Sequence, residues 1–453
     1  MERQRIAARA DWLERVRAQG LVYATTPLPG GGEAPYWFEE ACYVLDEDEV
    51  DVLEAATERL HGMCVEAGRF LATGAMGSLG LPSGALRLAG ESLAAGPPSL
   101  YGRFDLRFDG RDAPKLLEYN ADTPTGLLES AVAQWYWLED THPGQDQWNS
   151  LHERLVLAWS AIAPRLAPAP VYFAHHEDEH SGEEEMTVGY LRDTADQAGL
   201  ATAAITVGDI GWDAAQRCFV DLDGAPMRTV FKLYPWELML AEEFGRHVQA
   251  VPSGQWATTW LEPPWKVLLS NKALLAALWH LYPGDELLLP AYLDEPGPLT
   301  QWVAKPLHGR EGDNIRIRAD GVRQERPGGY GAEGWCYQQW APLPEYDGNK
   351  AVVGSWVVDG LAAGAGIRES DGWVTDYSAR FVPHLMTSAR PSEAIRQAWL
   401  ADAGGQVQDE TPADARPGGS AAPAAAPPML TLGDGAPRTP VQDSPFDPHR
   451  RNT

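Results

Sequence analysis

Cysteine is scarce in this chain of 453 residues: only Cys42, Cys64, Cys218 and Cys336 occur, far apart and without a C-x-x-C pair. That spacing supports neither a zinc knuckle nor a disulfide scaffold, and it suits a reducing compartment, so a cytoplasmic location is expected. Long apolar runs are missing too. No hydrophobic segment follows the first charges, and no stretch approaches the length of a membrane span, which disfavours secretion and membrane insertion. Positive charge is in deficit, with 36 Lys and Arg against 64 Asp and Glu and a formal charge of -28. This argues against nucleic acid and anionic membranes as partners, because both are bound through basic side chains that displace counterions. There is no internal repeat, no Walker pattern and no dinucleotide fingerprint.

The length exceeds what one hydrophobic core usually holds, so two or three packed units are expected, and 18 Trp supply bulk for cores and ligand pockets. Residues 1 to about 98 read as mostly helical, with apolar positions at helical spacing over 12–16 and 50–71. After Pro97 and Pro98, two strand-like runs at 100–108 and 115–120 lead to a helix from about Pro124. A strand at 171–174, a charged loop, a helix at 186–198 and strands at 203–207 and 229–233 predict a small α/β unit with a parallel sheet. Between 265 and 386 a helix at 272–281 mixes with strands at 302–305, 314–317, 335–340 and 351–358, an α+β pattern. Beyond about Ser392 the chain is rich in Ala, Pro and Gly and too poor in bulky apolar residues to pack, which predicts a disordered tail.

The chemistry concentrates where the first two strands meet. Closing the turn with Phe108 and Lys115 places Asp105 opposite Glu118 and Arg103 opposite Asn120. Strand alternation sends these four to one face and Phe104, Leu106 and Tyr119 to the other. Two carboxylates and an amide oxygen beside an arginine suit Mg²⁺, which prefers hard ligands and leaves room for phosphates. A solvated hairpin face with an Arg–Asp cross-strand pair is the plainer alternative. Thr123 and Pro124 then open the expected helix beside this face, where a helix N-terminus could receive a carboxylate or phosphate.

Further on, Lys272 opens a helix, and Lys305 ends a strand before a loop whose Gly309 and Gly312 could let backbone amides cradle phosphate. Gln338 or Gln339 could offer an adenine edge its polar groups, or the strand that carries them could simply cross a core. Surface lysines are the alternative for Lys272 and Lys305. Acidic residues of the middle unit, Glu184, Glu185 and Glu237, could pair with a cationic amine. The run from His175 to His180 reads either as a metal cluster or as a solvated loop.

Arg103-Phe-Asp, Glu118-Tyr-Asn-Ala-Asp-Thr-Pro-Thr, Lys305-Pro-x-x-Gly-Arg-Glu-Gly-x-Asn, Val353-Gly-Ser-Trp, Gly366-Ile-Arg-Glu and Ser378-x-Arg-Phe-Val-Pro-His resemble, in this order, the glutathionylspermidine synthase family of ATP-grasp ligases. The departures point to its short, synthetase-only bacterial members, since no catalytic Cys-His segment precedes the ligase part. The resemblance implies a mixed α+β and α/β fold, an ATP-grasp-type ligase with a small inserted α/β unit of pre-ATP-grasp type. The division expected is 1–168 for the N-terminal helices and metal hairpin, 169–262 for the substrate-side unit, 263–388 for the nucleotide part and 389–453 for the tail. It further implies ATP and two Mg²⁺ ions, with Asp105, Glu118 and Asn120 holding metal. Arg103 and Arg368 would stabilise the transferring charge, and Arg103, Phe104, Asp105, Lys272, Lys305, Gly312, Gln338 or Gln339, Val374 and Thr375 would border ATP. Thr123 and Thr125 stand where the family has serines that contact glutathione. The activity implied is amide formation between a peptide-like carboxylic acid and an amine through an acyl phosphate. A phosphotransferase in the same cleft and a non-catalytic ATP-binding protein are the competing readings.

Overall fold

Asp46 and Glu49 start the longest helix, Glu47–Ala72. The Asp46 carboxylate accepts the Glu49 N–H at 2.9 Å, and Glu49 reaches back to the Asp46 N–H at 3.0 Å. Its buried stripe, from Leu53 through Leu60 and Cys64 to Leu71, keeps the helical period and faces the helix Ala273–Leu281 and a long sheet. The structure, a computed structural model, describes residues 1–28, 30–176, 181–250 and 257–388. The tail from 389 onward and positions 177–180 of the His175 run lie outside the described residues.

The expectation of a mostly helical N-terminal part needs correcting. Besides the helix Trp12–Ala18, the first 46 residues hold the strands Glu2–Arg5, Thr25–Pro27, Glu33–Pro35 and Ala41–Asp46. Ala41 to Leu45 are buried at every position, as a strand covered on both faces should be. That strand lies between Glu2–Arg5, antiparallel, and His384–Thr387, parallel.

The strands Tyr101–Arg107 and Lys115–Asn120 form the expected hairpin but share a larger sheet. Tyr101–Arg107 pairs with Asn349–Val358, which pairs with Leu361–Ser370, which pairs with Arg380–Val382, all antiparallel. Leu361–Ser370 is not evident in the sequence because Ala and Gly fill its centre. They serve close packing: a Cβ at Gly366 would stand 2.4 Å from the Ser130 hydroxyl oxygen. In the middle of the chain Val171–His175 lies between Thr202–Thr206 and Thr229–Lys232, with Thr259–Leu261 beyond, and every pair is parallel. An antiparallel sheet of five strands follows, ordered Ala291–Leu293, Trp335–Gln339, Trp302–Pro306, Arg316–Ala319 and Val322–Glu325. The architecture is thus mixed α/β with several separate sheets. No helix among the described residues is long and apolar enough to cross a membrane.

The helix expected from Pro124 begins instead at Leu127 and opens into a π-helical turn, Glu129–Ala133, before Gln134–Thr141. Gly126, at φ +81°, supplies the left-handed step that keeps 123–126 a loop. Beneath this turn lies a buried polar layer. Gln134 donates to the Ala365 carbonyl at 2.7 Å and its oxygen faces His384 Nδ1 at 3.0 Å, while Gln147 donates to the His384 carbonyl at 2.7 Å.

Burial pushes the His384 imidazole from 6.5 down to about 4, against a hydrogen bond with the Trp148 backbone that raises it. The ring is therefore neutral in the folded protein, whereas the unfolded chain protonates it below its ordinary value. Stability should fall as pH drops from about 6.5 toward 4, by roughly 3 kcal/mol for this ring. Urea midpoints measured across that window should show the loss, and His384→Asn should flatten it; an equally steep fall in the variant would place the acid sensitivity elsewhere.

Candidate active site

The hairpin register is the one the alternation predicts at its working end. Arg103 pairs with Asn120 and Asp105 with Glu118, while Phe104 stacks on Tyr119 with ring centroids 3.9 Å apart on the core side. Near the turn the pairing slips. Leu106 pairs with Leu116 and Arg107 with Lys115, leaving Leu117 as an extra residue in a bulge. The bulge has a use, because the Leu117 carbonyl accepts from Lys305 Nζ at 2.8 Å.

Asp105 organises one wall. Its Oδ1 accepts from Arg103 Nε at 2.9 Å and its Oδ2 from Arg368 at 2.5 Å. Arg103 also donates to the Thr125 carbonyl and lies over the Trp356 ring, 5.7 Å from its centroid. Gly354, opposite Asp105 on the next strand, leaves room for it: a Cβ there would stand 3.0 Å from Arg103 Cδ. The other wall brings Lys272 and Lys305 to Glu118, the cross-strand neighbour of Asp105. Lys272 Nζ lies 3.5 Å from the Glu118 carboxylate and donates to the Gly309 carbonyl at 2.7 Å. Burial raises the Glu118 carboxyl, but Lys272 and Lys305, with Asn120 and Arg368, outweigh it and hold the group well below the usual carboxylate range. Lys305 is itself lowered by burial, with Glu118 opposing.

These walls bound a cleft of about 380 Å³. At this end four cations, Arg103, Lys272, Lys305 and Arg368, stand around Asp105 and Glu118, with the buried Glu129 also acting on Arg103. A buried surplus of that sign is costly unless an anion completes it. The donors fit a hard cation as well. Among the described residues no cluster of three or more His, Cys, Asp or Glu could hold a metal alone. Two carboxylates and the Asn120 amide suit Mg²⁺, which takes one or two carboxylates and completes its shell with water and substrate phosphates.

Thr123 and Thr125 line the cleft beside Arg103, and Glu184 and Glu237 line it further along. Gly312, Gln339, Val374 and Thr375 border it at the glycine loop. Gly312, at φ +70°, touches the opposite strip closely, for a Cβ would stand 2.4 Å from Val374 Cγ1. Two expected residues fall outside. The Phe104 ring is fully buried in the core, so only its main chain is near the cleft, and Glu185 is exposed on the helix Glu183–Gln197 away from it. Gln338 is held at both ends: its oxygen accepts from Lys305 at 3.0 Å and its nitrogen donates to the Leu116 carbonyl at 2.8 Å. It positions a lysine, and with one N–H and one lone pair to spare it also lines the cleft. Glu237 pairs with Arg310 of the glycine loop; burial raises its carboxyl, but Arg310 and His308 hold it low.

Sequence reasoning missed several lining residues. Val303, Ile315, Ile317 and Leu343 make an apolar slot, with Trp340 and Trp373 packed edge to face at 5.3 Å. The alternation of Val303 with Lys305 and the aromatic after Gln339 were the available signals. Arg310 and Glu183 were also missed.

The sequence pattern of the family described as "Glutathionylspermidine synthase preATP-grasp" matches residues 3–387. The chain belongs to that family. It is 38% identical over 390 residues to a Haemophilus influenzae protein named "Putative acid--amine ligase", covering 83% of this chain and 97% of that one. It is 28% identical over 310 residues to the bifunctional glutathionylspermidine synthetase/amidase of Escherichia coli, covering 63% of this chain and 49% of that one. The chain thus spans about half the length of the bifunctional relative. A glutathione synthetase-like effector from Globodera pallida, solved in apo form, shares the fold at a TM-score of 0.50 and 10% identity, over 84% of this chain and 98% of that one.

The close approach at Gly312 gives a direct test of the loop. Gly312→Ala should weaken ATP binding about tenfold in calorimetry with Mg²⁺, since the left-handed backbone costs about 1 kcal/mol and the new methyl must push Val374 aside. Unchanged affinity would remove this loop from the phosphate site.

Proposed function

We propose that this protein condenses a peptide-like carboxylic acid with an amine through an acyl phosphate formed from ATP. Its family is one of ATP-dependent C–N ligases, and that reaction class is the protein's own. The observation that carries the finer reading is the cationic surplus at one end of the cleft beside three hard oxygen donors, a set that suits a polyphosphate and its metal.

Asp105, Glu118 and Asn120 would hold Mg²⁺, two ions of it in the full complex, and bound metal would neutralise phosphate charge and polarise the transferred group. Lys272 and Lys305, aimed by Gly309, Leu117 and Gln338, would bind phosphate oxygens. The apolar slot with Trp340 and Trp373 would take the base, and Gly312, Gln339, Val374 and Thr375 would border the nucleotide. Arg103 and Arg368, both held by Asp105, would stabilise the charge that develops as the carboxylate of the acid attacks the γ-phosphorus and ADP leaves. The amine then attacks the acyl carbon, loses its proton and expels phosphate, leaving the amide. Thr123 and Thr125, beside Arg103, would orient the acid. Glu184 would attract the cationic amine and Glu237 would hold Arg310 in place near it, with the exposed Glu185 adding only to the local field.

Incubation with ATP, Mg²⁺ and panels of acids and amines should give ADP release that requires the amine and an amide product by mass spectrometry. Asp105→Ala and Glu118→Ala should each cut that rate at least a hundredfold, the scale lost with a group that acts on transition-state charge. Normal rates in both variants would sink the metal assignment, and a stable phosphorylated acid accumulating without amine would make the protein a phosphotransferase instead.

A further inference from the structure

Asp122 and Lys232 take no part in the chemistry above, yet they form one of the most deeply buried ion pairs among the described residues. Lys232 Nζ donates to Asp122 Oδ1 at 2.8 Å, with side-chain exposures of 1% and 2%. The rest of the ammonium is satisfied by the Tyr234 carbonyl at 2.7 Å and the face of Trp236, whose ring centroid is 4.5 Å away. Asp122 Oδ2 accepts the Trp236 backbone N–H at 2.8 Å. The backbone N–H groups of Ala121 and Asp122 both donate to Ser270 Oγ, at 3.0 and 2.8 Å.

Each partner belongs to a different part of the cleft. Asp122 follows Asn120 on the hairpin and precedes Thr123 and Thr125. Lys232 ends a strand of the parallel sheet, and the segment it braces runs through Leu233 and Pro235, both in the cleft wall, to Trp236–Ala241, which carries Glu237 in its first turn. Ser270 lies two residues before Lys272. A single ionic joint thus meets the acid-side loop, the amine-side wall and the root of the phosphate lysine.

We infer that Asp122 and Lys232 are positioning residues that hold the two substrate-side walls in register with the phosphoryl-transfer site, so that the acyl group formed at one is presented to the amine at the other. This inference rests on the ligase reading for its chemistry but on geometry alone for the joint. A buried pair with every donor and acceptor matched fixes one arrangement, because any shift leaves a charge unpaired in a low dielectric. An apolar contact of the same size would tolerate sliding.

Removing one partner would leave a buried charge and simply unfold the region, so the informative variant is the neutral pair Asp122→Asn/Lys232→Met, in which Asn can still accept from Trp236. The full chain carrying both changes should unfold at a midpoint nearer the wild type than either single variant. Hydrogen exchange should be at least tenfold faster over 121–127 and 233–241 and unchanged over 349–370. Amide formed per ADP released should drop below about half the wild-type ratio, with raised KM for acid and amine and an ATP KM within twofold of wild type. Wild-type exchange in both segments overturns the joint, and faster exchange with the wild-type amide-to-ADP ratio and substrate KM values overturns the positioning role. A wild-type protein that binds ATP but releases no ADP in response to any amine counts against the ligase reading itself, and the exchange measurement then decides the joint on its own.

Discussion

A single carboxylate, Asp105, holds two guanidinium groups from different hairpins, and the geometry of the cleft depends on it. Arg103 is its neighbour on Tyr101–Arg107, and Arg368 reaches it from Leu361–Ser370, two strands away across Asn349–Val358. Without that charge two buried cations would face each other in a low dielectric and turn away. With it they lie side by side, each with donors left over. Folding usually avoids such a surplus, and the lysines around Glu118 repeat the pattern beside it on the paired strand. A positive remainder in a wall is costly to bury, and a core of equal burial carries none.

The working end of the hairpin was legible because a strand has a period of two. Once Asp105 faces Glu118, every neighbour is assigned to a face, and the segregation of Arg103 and Asn120 from Phe104 and Tyr119 follows without knowledge of the rest of the fold. The turn end was not legible. A bulge at Leu117 is invisible in composition, since its cause lies in the use of its carbonyl by Lys305, 188 positions along the chain. The bonds that hold Gln338 escaped for the same reason, since Lys305 and Leu116 lie 33 and 222 positions away. Leu361–Ser370 escaped because small residues weaken the strand signal that close packing requires of them. Alternation had already sent Phe104 to the core face, so the core position of its ring against its place beside the nucleotide was a conflict present in the sequence itself.

The buried polar groups below the cleft form a second level of organisation. Ser130 receives the Trp356 indole N–H at 2.9 Å and donates to the Gly126 carbonyl at 2.7 Å, so the π-turn, the threonine loop at 123–126 and the central strand are linked through one hydroxyl. Gln134 continues the chain to Ala365 and His384. Ser130 and Gln134, four apart, share one helix face and meet Gly366 and Ala365 of the same strand. The threonine loop is thereby fixed to the sheet that carries Arg103 and Arg368.

The overall charge of -28 gives no warning of any of this. At physiological salt the field of a surface charge decays over about 8 Å, so the acidic exterior is largely screened from a buried wall. Within the wall the dielectric is low and the nearest pairs dominate: Lys272 with Glu118 at 3.5 Å matters more than dozens of exposed carboxylates. Elsewhere in the lining the same holds, for Glu237 is matched by Arg310. Net charge therefore argues only about the outside of this protein, and its chemistry is set by which few charges are left over inside.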